Sequence, residues 1–359
     1  MLYGNIIGWN KGKDDLFNPT SERNRDNCLE PMRRLKKYAK ILDIELHTPD
    51  ITDKLSKTVD FNLYVEALDI TTAGTNYLLV LELELIVPRL GDINYLKKFD
   101  LVFTWNNLIV DGEKFIKIYY PNTFAQSKID GFKNRPIFAC MIAGNKFTNI
   151  LDSRELYSER VKIIRWFEKN NPQDFELYGV GWEKPARKKG GISKLLYRIE
   201  KFTNYILSKS AFPSYKGSVI SKSSVYDKAR FSICYENARD FPGYITEKIF
   251  DSFFSGCVPV YWGDPQINLY IDENCFIDKR DFMSLEDLYL YLKNMPEKEY
   301  IDKQLAIKNF LNSNKFNQFS SENFSKTVLQ NIIKNQSKQY KNFNLDYSWQ
   351  VILPEDNWI

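Results

Sequence analysis

Short apolar runs rich in β-forming residues alternate with amphipathic helical patterns along most of this chain, and this alternation constrains its fold most strongly. In the first third, the pattern predicts strands over residues 3–8, 43–47, 61–67, 77–83, 101–105 and 115–120. A second series begins near Pro136 with the strand PIFACMIAG, and it continues through the helix ELYSERVKIIRWFEKN to the strand FELYGVGW. This order is typical of α/β proteins in which helices cover parallel sheets.

The length of 359 residues predicts two domains, because a single hydrophobic core stops growing at roughly 250–300 residues. We expect an N-terminal domain over residues 1–130, a second domain over 136–335 and a C-terminal tail over 336–359. The polar stretch 122–135 is the expected linker. The basic segment 185–210 interrupts the second series, either as a surface insertion or as a peripheral contact with an anionic membrane surface.

Composition excludes several kinds of site and partner. The chain has one histidine and five scattered cysteines without a CxxC pair, which argues against a histidine-rich metal site, a zinc site and a disulfide framework. A net charge of +4 is too small to indicate a nucleic-acid partner. No apolar run approaches the roughly 20 residues that cross a bilayer. We therefore expect a cytoplasmic protein that reaches the inner face of the membrane, if at all, through segment 185–210.

The segment YENARDFPGYITEKIFDSFFSGCVPVYWGDP carries the clearest chemical pattern. It predicts a strand end, a turn-forming loop, a helix that begins after Thr246 and ends at Gly256, and another parallel strand. Ligands of parallel sheets bind beyond the carboxyl ends of the strands, and helix N-termini attract anions.

Lys248 in the first helical turn is unfavourable unless an anion lies in front of it. Beside it, Glu247 can accept hydrogen bonds from sugar hydroxyls. A phosphorylated sugar explains this pair, and a solvated helix start is the alternative.

The same segment resembles the α-1,3-fucosyltransferases of glycosyltransferase family ten, in particular the bacterial type. The family pattern is an aromatic residue with Glu-Asn, a short loop, Tyr-Ile-Thr-Glu-Lys, an apolar helix and a Pro-Val-Tyr strand. The resemblance implies the GT-B architecture, in which two Rossmann-like domains face a central cleft. The N-terminal domain would bind the acceptor and the C-terminal domain the nucleotide sugar. It also implies inversion without a bound metal, and the chain contains no Asp-x-Asp motif.

The resemblance implies donor-binding roles for four residues of this segment. Glu247 would bind the fucose and Lys248 the diphosphate, while Asn237 and Tyr244 would line the nucleotide.

Two further roles follow from the resemblance, each with an alternative. An arginine on the first helix of the second domain would hold the diphosphate, and Arg160 fits the local pattern, with Arg154 as the alternative. The catalytic base would be a glutamate at the end of a first-domain strand, where YLLVLELELIVP offers Glu82 and Glu84. Strand alternation places both side chains on one face. The position directly after the apolar run favours Glu82, whereas the spacing to the following proline favours Glu84.

Taken together, the resemblance implies an inverting glycosyltransferase that moves L-fucose from GDP-fucose to a glycan hydroxyl. The expected acceptor is the 3-OH of an N-acetylglucosamine-type sugar in a surface polysaccharide or lipopolysaccharide. No cofactor is expected besides the donor substrate. One alternative is a related transferase that uses another nucleotide sugar, and another is a non-catalytic binding paralogue. A glutamate that reaches the cleft opposite Lys248 distinguishes catalysis from binding alone.

Overall fold

The computed structural model describes residues 1–8, 12–72, 74–186, 197–199 and 210–339. Most of the basic segment 185–210 and of the expected tail 336–359 lies outside the described residues. The membrane contact expected from segment 185–210 therefore stays a prediction. Among the described helices, none combines the length and the apolar character that a membrane crossing would require.

Parallel pairing unites the strands of the first third into one sheet. These strands are β1 (Leu2–Ile7), β2 (Ile44–His47), β3 (Phe61–Val65), β4 (Thr75–Val80), β5 (Leu101–Thr104) and β6 (Phe115–Lys117). Their order in the sheet is β2-β1-β3-β4-β5-β6, and every pair is parallel. All six predicted strands are present, although several end two or three residues earlier than their apolar runs.

A second parallel sheet follows the predicted second series. Its strands are β7 (Ile137–Ile142), β8 (Phe175–Tyr178), β9 (Ala229–Tyr235), β10 (Val258–Trp262) and β11 (Ile277–Asp278). They lie in the order β11-β10-β9-β7-β8. The predicted α/β class with parallel sheets is therefore confirmed.

Helices connect the strands and cover both sheets. They are α1 (Glu30–Ile41), α2 (Pro49–Lys54), α3 (Ile93–Leu96), α4 (Tyr157–Asn170), α5 (Ser223–Tyr226), α6 (Glu247–Phe254), α7 (Leu285–Asn294), α8 (Glu297–Leu311), α9 (Asn314–Asn317) and α10 (Ser321–Gln339). In α1, Pro31 occupies the first turn, and the buried residues Met32, Leu35 and Ala39 recur at helical spacing. In α6, Ile249, Phe250 and Phe253 form the buried face.

The last described helix returns to the first sheet. The apolar face of α10 contributes Phe324, Val328, Leu329 and Ile332 to the core built from β1 to β6 and α1. The predicted domain limits place most of this stretch with the second unit, because sequence order does not reveal which core an amphipathic helix covers. The first residue of the helix, Ser321, donates its backbone amide to the Asn122 carbonyl at 2.9 Å, so this helix connects the two units beside the start of the linker.

The predicted linker 122–135 ends in a fully buried arginine rather than in a free tether. The Arg135 guanidinium pairs with Asp130 at 2.7 Å, and it donates to the backbone carbonyls of Tyr226, Ala229 and Ser255. These bonds satisfy a buried charge that would otherwise be costly. The end of the linker is thus an integral part of the second unit.

Gly256 ends helix α6 as the sequence predicts, with a φ angle of +65°. A Cβ atom at this position would lie 2.3 Å from the carbonyl oxygen of Lys128, whereas one at Gly112, where φ is +77°, would meet nothing within 4 Å. We expect Gly256→Ala to lower the free energy of unfolding by about 2–3 kcal/mol and the matched control Gly112→Ala by about 1 kcal/mol. Chemical denaturation measures both, and equal losses would contradict the close approach to Lys128.

Candidate functional site

The carboxyl ends of both sheets open onto one cavity of about 640 Å³. Parallel α/β sheets place ligand sites at this edge. The first unit supplies residues that follow β3 and β4, and the second supplies the ends of β7 and β9 together with the first turns of α4 and α6. Six of the seven predicted site residues line this cavity: Glu82, Arg160, Asn237, Tyr244, Glu247 and Lys248.

Lys248 is held at the cavity wall by a carboxylate that the sequence analysis did not assign a role. Its Nζ atom lies 3.0 Å from Oε2 of Glu236 and 2.9 Å from Oγ1 of Thr246. Burial acts to lower the pKa of Lys248, but the carboxylates of Glu236 and Glu247 outweigh it and raise the pKa above its usual range. Lys248 is therefore a fixed cation, and 23% of its side-chain surface remains exposed for a ligand.

The N-terminus of α6 is left open toward the cavity. Thr246 occupies the predicted cap position, but its side chain makes no capping hydrogen bond to a backbone amide of the helix. Its hydroxyl and its amide instead donate to the fully buried Glu236, at 2.7 and 2.9 Å. Because the capping side chain is used elsewhere, the partial positive charge of the helix end remains available to an anion.

Glu247 lies between two lysines. Its Oε1 atom is 3.8 Å from Nζ of Lys248 and 4.0 Å from Nζ of Lys222. Burial acts to raise the pKa of Glu247, and the two lysines reverse this effect and lower it. One third of the Glu247 side chain is exposed. An ionised carboxylate in this position can accept hydrogen bonds from sugar hydroxyls.

Arg160 enters the cavity wall from α4 and is buried. One guanidinium nitrogen, Nη2, donates to the carbonyl oxygens of Tyr235 and Glu236 at 2.7 and 2.8 Å, and to the Asn237 side chain at 3.2 Å. These contacts hold the cation at the end of β9. The alternative, Arg154, pairs with Asp152 at 2.7 Å and stacks on Phe241, and it does not line the cavity. Of these two arginines, Arg160 is therefore the one that lines the cavity.

Glu82 faces the cavity from the first unit, and its carboxylate is hydrogen-bonded by residues of the second unit. Its Oε1 atom accepts hydrogen bonds from the Tyr244 hydroxyl at 2.7 Å and from Nδ2 of Asn237 at 3.3 Å. Asn237 thus connects Arg160 to Glu82. The two residues expected to line the nucleotide hold the candidate base instead, a contact that the motif could not reveal. Their contact with a nucleotide stays a prediction.

The structure separates Glu82 from Glu84 because β4 ends at Val80, earlier than the apolar run. Strand alternation no longer applies beyond that point, so the two side chains do not share a face. Glu84 packs beside Gly91 and does not line the cavity. Of the two candidate bases, only Glu82 reaches the cleft that contains Lys248.

The loop over residues 238–244 fixes this geometry by packing on the first unit. Phe241 and Tyr244 join the apolar core that contains Trp105, and the rings of Trp105 and Tyr244 meet edge to face with centroids 4.9 Å apart. The Asn107 amide donates to the Pro242 carbonyl at 3.1 Å. This packing places the Tyr244 hydroxyl within hydrogen-bonding distance of Glu82, on the other side of the cleft.

Several cavity residues were missed by the sequence analysis. Glu236 stands in the aromatic-Glu-Asn pattern, which could have singled it out. Lys222 pairs with Asp251 at 2.6 Å, and Glu66 follows β3, but neither Lys222 nor Glu66 belongs to a recognisable motif. Within the described residues, no group of three or more His, Cys, Asp and Glu side chains has the arrangement of a metal site.

Comparison with known proteins relates this site to glycosyl transfer. Residues 200–343 match the family described as glycosyltransferase family 10 (fucosyltransferase), C-terminal part. An alpha-(1,3)-fucosyltransferase of Helicobacter pylori is 28% identical over 122 residues, which cover 32% of this chain. The matched region spans only 25% of that curated relative's length.

Solved structures share the fold over nearly the whole chain. A crystal structure of an alpha1,3-fucosyltransferase with GDP covers 92% of this chain and 89% of its own, with a TM-score of 0.53 and 15% identity. An alpha-glucosyltransferase in complex with UDP and DNA covers 93% of this chain and 99% of its own, with a TM-score of 0.54 and 10% identity. The predicted GT-B architecture is confirmed by this likeness.

Proposed function

We propose that the protein is an inverting transferase that moves L-fucose from GDP-fucose to a glycan hydroxyl. The premise is that residues 200–343 match the model of glycosyltransferase family 10. One observation carries the proposal. A carboxylate from the first unit, Glu82, and two cations from the second, Arg160 and Lys248, line the same cavity. A single displacement needs a base on one side of the reacting carbon and a stabilised leaving group on the other.

The cations account for the departure of the diphosphate. Negative charge develops on the leaving phosphate oxygen as the bond to the sugar lengthens. Lys248, Arg160 and the open end of α6 are held in place before the reaction, so no reorganisation is needed when this charge appears. We propose that these groups perform the stabilisation that a metal ion supplies in other transferases.

Glu82 is the proposed base, and Glu247 the proposed contact of the fucose hydroxyls. The hydrogen bonds from Tyr244 and Asn237 orient the Glu82 carboxylate and leave its Oε2 atom without a described protein partner. This oxygen can take the proton of the acceptor hydroxyl as that hydroxyl attacks the anomeric carbon. Attack from the face opposite the diphosphate inverts the configuration.

A donor panel tests the proposal. We expect the protein to release GDP from GDP-fucose, faster when an N-acetylglucosamine glycoside is added, and to leave GDP-mannose, UDP-glucose and UDP-N-acetylglucosamine unchanged. Transfer is expected to persist in EDTA, because side chains provide the positive charge. Turnover of a UDP-sugar would instead favour a related transferase, an alternative suggested by the UDP-bound neighbour of the same fold. Tight GDP-fucose binding without turnover would favour a non-catalytic paralogue.

Neutralising the arginine of the site tests its share in the leaving-group stabilisation. We expect Arg160→Met to lower the turnover of GDP-fucose by about 10²-fold, because one preorganised cation is lost. Arg154→Met is the matched control, since Arg154 belongs to the same segment but lies outside the cavity. Initial rates at saturating donor measure both variants. Equal losses of turnover in the two variants would show that Arg160 supports the fold and does not stabilise the leaving diphosphate.

A further inference from the structure

Glu66 is a second carboxyl group in the cavity wall, and its backbone is strained. It follows β3 directly, with a φ angle of +64°, and its amide donates to the Leu79 carbonyl at 3.0 Å. Positive φ values are uncommon for residues with a Cβ atom, and they persist where the surrounding structure enforces them. Because β3 and β4 are neighbours in the sheet, Glu66 and Glu82 leave adjacent strand ends and enter the same cavity.

The Glu66 carboxyl group lacks the partners that the other cavity carboxylates have. Both of its oxygens are shielded from solvent, no side chain in the described parts of the chain donates to them, and only the backbone amides of Leu81 and Glu82 act on them. By contrast, Glu82 accepts from Tyr244, and Glu236 accepts from Thr246. A buried carboxyl group with so few partners is costly, and hydrogen bonds from a hydroxyl-bearing ligand would offset that cost.

The environment of Glu66 favours its neutral form. Burial and the neighbouring Glu82 carboxylate raise the pKa of Glu66 from 4.5 to about 8, although the backbone amides of Leu81 and Glu82 lower it in part. At neutral pH this side chain is a carboxylic acid, with one O–H to donate and one carbonyl oxygen to accept. A hydroxyl-bearing ligand can use both, whereas a cation or a phosphate can use only one of them well.

We propose that Glu66 is the side chain that holds the acceptor sugar, through paired hydrogen bonds to the hydroxyls beside the one that Glu82 deprotonates. This inference rests on the proposed function and deepens it. The acceptor must touch Glu82, and Glu66 stands next to Glu82 on the same sheet edge. The donor cations Lys248 and Arg160 belong to the opposite wall of the cavity. Glu66 lies on the same side of the cavity as Glu82 and can both donate and accept hydrogen bonds. It is therefore placed to contact the hydroxyls of the acceptor sugar.

Two variants of similar volume separate this role from a structural one. We expect Glu66→Leu, which cannot form hydrogen bonds, to raise the KM for an N-acetylglucosamine glycoside by about tenfold or more. Its GDP release from GDP-fucose in the absence of acceptor should stay at the wild-type level. Glu66→Gln keeps one donor and one acceptor, so its KM should stay close to that of the wild type.

The pH dependence of the free energy of unfolding tests whether the Glu66 side chain is neutral in the folded protein. The folded wild type retains the Glu66 proton between about pH 4.5 and 8 while the unfolded chain loses it, so this group lowers stability as the pH rises through that window. Glu66→Gln removes this decline. Other groups titrate in both proteins and cancel in the comparison: the pKa of Asp251 is raised to about 6 and that of Lys117 is lowered to about 8 by burial.

Two tyrosines and one lysine of the cavity wall keep their state across this window. Glu82, on the adjacent strand end, is the charged group that acts on it directly. From the other elements of the cavity wall, Tyr120 and Tyr244 have pKa values far above their usual range because of burial. The pKa of Lys248 is raised as well, so this lysine stays cationic.

The outcomes distinguish the two proposals. An unchanged acceptor KM in Glu66→Leu would overturn the role of Glu66 alone, as would equal losses with and without acceptor. Identical pH profiles of unfolding for the wild type and Glu66→Gln would also overturn it, because Glu66 would then not be a neutral donor. A wild-type protein that neither hydrolyses GDP-fucose nor transfers its sugar would overturn the proposed function, and the role of Glu66 with it.

Discussion

Replacing Glu82 with glutamine is expected to lower the rate of fucose transfer by about 10²–10⁴-fold, because the amide cannot take the proton of the acceptor hydroxyl. Glutamine has nearly the same size, and its oxygen can still accept the hydrogen bonds from Tyr244 and Asn237. Donor binding should therefore be retained. Transfer to an N-acetylglucosamine glycoside measures the first effect, and calorimetric titration with GDP-fucose measures the second.

Glu84→Gln is the matched control for this substitution. Glu84 is two residues away in the same segment, carries the same charge and lies outside the cavity. Its substitution should leave transfer within about twofold of the wild type, as expected for a residue away from the reacting atoms. A large loss in Glu84→Gln with little loss in Glu82→Gln would assign the base to Glu84, and it would require a different geometry of the cleft.

The choice between these two glutamates shows where reasoning from sequence stops. The apolar run continues to Leu85, so its pattern predicts a strand through residue 83, but pairing with β3 and β5 ends at Val80. An apolar pattern indicates which residues are buried. Residues beyond the end of a strand can stay buried although their side chains no longer alternate between the two faces of the sheet. The alternation argument therefore fails at the two positions where it was needed.

The sequence motif identified cavity residues that lie on one continuous segment. It did not identify cavity residues that come from distant parts of the chain. Lys248, Glu247 and Thr246 were placed correctly because a helix start has a local pattern. Lys222 and Glu66 join the same cavity from distant parts of the chain, and no short pattern marks them. Their contribution depends on strand order and burial, which only the assembled sheets define.

Removing the amino group of Lys248 is the second substitution with a large expected effect. Lys248→Met should slow GDP release from GDP-fucose by about 10²–10³-fold, because a preorganised cation no longer faces the leaving diphosphate. The same change leaves the fully buried Glu236 without its cation, and loss of one partner of a buried pair costs about 3–5 kcal/mol of folding free energy. Activity and stability should thus fall together, and the single variant cannot separate them.

A double variant separates the two effects. Lys248→Met combined with Glu236→Gln removes the uncompensated charge, so much of the free energy of unfolding should return, while GDP release should stay slow. Lys293→Ala is the matched control, because Lys293 pairs with the carboxylate of Asp174 at 2.8 Å and does not line the cavity. It should lose some stability and keep full turnover. Turnover that recovers together with stability in the double variant would mean that Lys248 only neutralises Glu236, and the diphosphate would then have to be stabilised by Arg160 and the end of α6 alone.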